Sequence, residues 1–204
     1  MIDSRFALLG ALITIAGSAS YARDTLRGRT QPNRVSWLLW TLAPLIAFAA
    51  ELAQHVGLDS LLTFAVGFGP LLVVIASYLD PQAYWRLTRV DVACGCLSLG
   101  ALVAWAVTGT GDIAIVFSIL SDLFGGIPTL HKAYTHPASE SASAFVASGC
   151  GATITLLTIH PGAWNFANFG FPLYILAADA TLSILILFPR PRRVAEVAGD
   201  EPGR

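Results

Sequence analysis

With 204 residues, a formal net charge of −1 and only 12% charged residues, the chain carries about half the usual charged share. Hydrophobic residues make up 55% and mean hydropathy is +0.66, which a soluble domain of this length cannot cover with polar surface. A water-soluble globular domain is excluded. So is a nucleic-acid binder with a basic face, because the cations fall between apolar stretches rather than on one patch.

Seven apolar stretches follow one another near 6–22, 36–54, 60–79, 91–108, 112–131, 141–159 and 166–188, most of them close to the roughly 20 residues a helix needs to cross a bilayer. The first has the apolar core (Phe6–Ala16) and small residues (Ala16–Ala19) of a signal peptide. Its leader has no net positive charge, however, and Arg23, Arg27, Arg29 and Arg34 follow at once and resist export. It reads as an uncleaved helix.

The second stretch opens at Ser36, which suits an N-cap. It carries Trp37 and Trp40 at its inner end and Pro44 in its interior. With Tyr84 and Trp85 the tryptophans read as an aromatic belt at the membrane interface. The third holds Gly67-Phe68-Gly69-Pro70 and Ser77, and the fourth opens with a Cys94-x-Cys96 pair that implies no disulfide framework or metal cluster. The fifth carries Asp122 and then Gly125-Gly126-Ile127-Pro128-Thr129. Between it and the sixth lie His131, His136 and Glu140; their spacing fits no zinc helix motif and Pro137 breaks any shared face. No metal or other cofactor is expected. The sixth opens at Ser141, again a candidate cap. The seventh places Asn168, Pro172, Asp179 and Ser183 on one helical face, with Asn165 at its outer start as a further cap. The tail, 189–204, is Pro-rich and charged, expected to be disordered and to touch anionic headgroups through Arg190, Arg192 and Arg193.

The first three stretches resemble the last three. Gly17-Ser18-Ala19-Ser20-Tyr21 answers Gly125-Gly126-Ile127-Pro128-Thr129; Pro32-Asn33-Arg34-Val35-Ser36 answers Pro137-Ala138-Ser139-Glu140-Ser141. The glycine-proline segment of the third answers Phe169-Gly170-Phe171-Pro172 of the seventh. The expected division is therefore 1–80 as one triple-helix repeat, 81–111 as a loop and linker helix, 112–188 as the second repeat, and 189–204 as tail.

Of twelve basic residues, only Arg5 lies outside if the N-terminus is extracytoplasmic; the other eleven fall in 23–35, 80–90, 132–140 and the tail. That is a positive-inside pattern with seven spans. Both triplets then run in one direction, so the expected fold is an all-α membrane protein of seven transmembrane helices, two parallel triple-helix repeats joined by a linker helix. Eleven arginines against one lysine suggest GC-rich bacterial coding, and hence an inner-membrane location.

This 3+1+3 layout, with prolines near the inner ends of repeat helices, resembles the SWEET and PQ-loop transporter superfamily. The signature Pro-Gln pair is replaced by Ser20-Tyr21 and Pro128-Thr129, while a Pro81-Gln82 pair stands in a loop. The resemblance implies a carrier of a small polar solute (a sugar, amino acid or vitamin-like molecule) that works by alternating access, with proton coupling in some members.

Mid-membrane carboxylates default to function, which singles out Asp122 and Asp179. Shifted by one constant offset, Thr14 answers Asp122 and Tyr21 answers Thr129, while Ser77 answers Asp179. The expected solute and proton site is Asp122, Asp179, Asn168, Thr14, Ser77 and Thr129, with Pro44, Pro70, Pro128 and Pro172 as hinges. The glycines read first as packing residues. A retinal protein is excluded because the single lysine, Lys132, is not in the last helix. An intramembrane enzyme or a channel is the alternative. The expected partners are the solute and the bilayer; the oligomeric state is open.

Overall fold

A computed structural model describes residues 2–3, 5–53, 60–80, 87–108, 111–164 and 166–189. Among these, every regular element is helical: α1 (Phe6–Leu26), α2 (Arg34–Ala53), α3 (Ser60–Leu79), α4 (Arg89–Thr108), α5 (Gly111–Thr135), α6 (Ser143–Thr158) and α7 (Phe166–Leu187). Short 3₁₀ turns lie at Pro137–Ser139 and Pro161–Ala163. Tyr84, Trp85, Pro81-Gln82, Asn165 and the tail from Arg190 lie outside the described residues.

At their C-terminal ends two helices run further than the apolar stretches. α1 continues past residue 22 to Leu26, taking in Arg23, and ends where Gly28 takes a left-handed φ of 67°, the usual glycine stop. α5 continues to Thr135, taking in Lys132, and stops just before His136-Pro137, since a residue preceding proline disfavours helix. Hydropathy marks where apolar side chains end, whereas backbone hydrogen bonds carry the helix on. Pro44, Pro70, Pro128 and Pro172 sit inside α2, α3, α5 and α7. Each removes one ladder hydrogen bond, which packed helices tolerate at membrane depth.

Among the described residues, three helical stretches, Phe6–Leu26, Ser60–Leu79 and Asn168–Leu187, are long and apolar enough to cross a membrane; Ser143–Thr158 is apolar but shorter. Large apolar side chains such as Leu12, Val103, Ile184 and Phe188 are exposed on the outside of the bundle.

α3 packs against both α1 and α2, and α7 against both α5 and α6. The two groups meet where α1 lies on α6 and α2 on α5, while α4 packs on α5 and α2. The α1–α6 crossing is the tighter because both faces carry small residues. A Cβ on Gly17 would stand 2.1 Å from the Ala147 Cβ, and one on Gly151 would stand 2.3 Å from the Thr14 hydroxyl.

The start of α2 corrects one expectation. Asn33, not Ser36, is the cap: its Oδ1 accepts from the Val35 and Ser36 amides at 3.0 and 3.3 Å, and its Nδ2 donates to Asp91 on α4 at 2.7 Å. α2 begins before Ser36, which puts that hydroxyl inside the first turn and its Oγ without a partner among the described residues. Ser141 lies just outside α6. Its hydroxyl bonds Asp24 of α1 at 3.1 Å and approaches the Ser143 amide at 3.5 Å.

Candidate functional site

The six helices other than α4 converge on one cavity of about 60 Å³, and each supplies lining for a local reason. On α1, Thr14 and Ser18 lie one turn apart on the face turned toward α6 and α3. On α2, Trp37 and Trp40 recur at helical spacing and turn inward, 2% and 9% exposed. They were expected at the lipid interface. Instead they form a cluster with Tyr21 and Phe145: ring centroids of Trp37 and Tyr21 are 4.6 Å apart, those of Trp37 and Trp40 5.4 Å. An aromatic pair at i, i+3 on a helix with partners on both sides is covered more completely by the bundle than by headgroups.

Gly126 makes that placement possible on α5. A Cβ there would meet the Trp40 ring at 3.2 Å. The Trp40 indole N–H donates to the Asp122 backbone carbonyl at 3.2 Å. The glycine is thus a seat for an indole, as the packing reading of these glycines anticipates.

Both carboxylates line the cavity. Tyr174 of α7 donates to Asp122 Oδ2 at 2.8 Å, and Ser148 of α6 lines the same cavity as Asp179. Asp122 Oδ1 and Asp179 Oδ2 are buried with no partner among the described residues. Among the cavity's described lining residues there is no Lys, Arg or His. Its remaining walls are apolar and aromatic: Val66, Leu123, Leu130, Ala144, Phe145, Ile175, Ala178 and Leu182, with Pro70.

The other expected site residues divide. Thr14 lines the cavity, but its hydroxyl already donates to the Gly10 carbonyl at 3.0 Å. Thr129 is fully buried with no partner for its hydroxyl among the described residues, and it is not a lining residue. Ser77 is buried at the end of α3, where it accepts from Arg34 Nε at 3.3 Å and donates to the Val74 carbonyl at 2.7 Å. Arg34 also lies 4.3 Å over the Tyr78 ring. Asn168 is exposed near the start of α7. Of the prolines, Pro70 alone reaches the cavity; Pro44, Pro128 and Pro172 are buried in helix contacts. Ser77 lies beyond the cavity because α3 presents Val66 and Pro70 to it.

Sequence reasoning passed over a second buried constellation. Lys132 and Glu140 form an ion pair at 2.8 Å with neither side chain exposed. Tyr21 donates to the other Glu140 oxygen, and Lys132 also donates to the Gln31 carbonyl and, at 3.4 Å, to that of Ser139. Burial pushes the Glu140 carboxyl above the usual carboxylate range, against the opposing pull of Lys132 and of the Tyr21 hydrogen bond. The available signal was a lone lysine in an arginine-rich chain, followed closely by a glutamate in a proline turn.

Comparison with family models, with curated proteins and with solved structures finds no match for this chain.

Proposed function

We propose that the chain is an integral membrane carrier that moves a small polar solute by alternating access, in the manner of the SWEET and PQ-loop superfamily. The observation that carries this reading is the cavity itself: both triplets of helices supply its lining and two carboxylates face into it. Polar groups of this kind at the centre of an apolar bundle are expensive and mark solute or ion paths.

The packing agrees. α3 lies against α1 and α2 as α7 lies against α5 and α6, and α1 on α6 matches α2 on α5. Exchanging α1 with α5, α2 with α6 and α3 with α7 leaves that pattern unchanged, as two parallel repeats about an axis along the membrane normal require. On this reading all seven helices span, α4 resets direction, the N-terminus is outside and the location is a bacterial inner membrane. A cavity of about 60 Å³ is far below the roughly 300–1,000 Å³ of ordinary ligand pockets, so this is a closed form that must widen to pass solute. α2, α3, α5 and α7 carry the prolines at which it would bend.

The test needs no known substrate. Cys94, Cys96 and Cys150 are replaced and Ala178, a lining residue, becomes the only cysteine. A membrane-impermeant thiol reagent should label it from either face, in right-side-out and in inverted vesicles. Labelling from one face only would overturn alternating access.

A further inference from the structure

Resting on the carrier reading, we infer that the cavity takes a small organic cation: an ammonium or guanidinium group on a compact apolar body. Asp122 and Asp179 are 5% and 9% exposed, both line a cavity with no cation among its described lining residues, and each keeps one buried oxygen without a partner among the described residues. A buried carboxylate without a counter-charge is costly and calls for a cation or a proton. An anionic solute would face both acids with nothing to pair it.

The remaining wall selects among cations. Trp37, Trp40, Phe145 and Tyr174 line the same space, and aromatic faces attract ammonium and guanidinium groups within roughly 6 Å. They cannot ligate a divalent metal, which wants about six or more oxygens.

The experiment uses the full-length protein purified in detergent at pH 8, with choline as the probe. The neutral isostere 3,3-dimethylbutan-1-ol and glucose are the controls, and calorimetry and thermal unfolding are the readouts. Choline should bind saturably and raise the unfolding temperature, and each control should do neither. Asp122→Asn and Asp179→Asn should each weaken choline binding by about tenfold or more, the loss of one close charge contact. Equal binding of choline and its isostere by the unmodified protein overturns the inference without reference to any variant, as does wild-type choline affinity in both Asn variants. Two-sided labelling of Ala178→Cys together with equal binding would sink the cation and leave the carrier standing. One-sided labelling with selective choline binding would do the reverse.

Discussion

Lys132 and Glu140 form a fully buried ion pair at 2.8 Å, and the pair joins the end of α5 to the turn leading into α6. Tyr21 of α1 and the Gln31 carbonyl before α2 bond to the same pair. Four separate segments therefore depend on one lysine and one glutamate at the end of the bundle where α1 and α5 finish. On the carrier reading this is the cytoplasmic end.

Removing one partner should be far worse than removing both. Lys132→Met strands a buried carboxylate and should cost about 3–5 kcal/mol in thermal unfolding, whereas Lys132→Met with Glu140→Leu should recover most of it. The sign of the pH effect follows. With its pKa raised by burial, Glu140 holds a proton in the folded state at pH values where the unfolded chain has lost it, so stability falls as pH rises through that window. Lys132→Met removes the opposing cation, so the single variant should gain thermal stability on going from pH 8 to pH 5, relative to the double variant. A single variant as stable as the double at pH 8 would count against the pair.

The α1–α6 crossing makes a second, independent prediction. Gly17→Ala puts a methyl group 2.1 Å from the Ala147 Cβ and 2.6 Å from the Ser143 carbonyl, so the helices must part at a cost of about 1–3 kcal/mol. Gly100 on α4 has nothing within 4 Å of the same position, and Gly100→Ala should be neutral or stabilise by up to ~1 kcal/mol through helix propensity. Comparable melting shifts in the two variants would contradict this packing.

Much of the helical layout was legible because apolar runs separated by cations and turns leave little choice in lipid. Helix ends were not: Arg23 and Lys132 break a hydropathy window without breaking a helix. The two cavity acids were legible for the same reason as the spans, since a charge inside an apolar run stands out. Trp37 and Trp40 were harder to assign, because an aromatic residue suits a lipid interface and a cavity wall equally well, and only their packing against Tyr21, Phe145 and Gly126 decides between the two. Ser77 was selected by its repeat position, but its hydroxyl is committed to Arg34 and Val74.

Topology can be checked directly. Reporter fusions after Gln31, Gln54, Tyr84, Gly109, Pro137, Gly162 and the C-terminus should alternate, beginning inside, because the cations cluster in every second connection. Two consecutive fusions reporting the same side would refute the seven-span arrangement.

Finally, proton and solute should compete. Tyr174 of α7 donates to Asp122, Ser148 of α6 lines the same cavity, and the described lining residues include no basic side chain. Charge on Asp122 and Asp179 must then be balanced by a bound cation or removed by a proton, and one carboxylate cannot carry both. Lower pH favours the proton, so choline affinity should fall as pH is lowered from 8 to 5. In proteoliposomes, an acid interior should drive inward movement of choline against its gradient as protons leave. Asp122→Asn and Asp179→Asn should each abolish that accumulation while leaving the protein folded by thermal unfolding. If both variants still concentrate choline at the wild-type rate, the carboxylates serve only the structure. If affinity is flat across this pH range, proton and cation do not share a site.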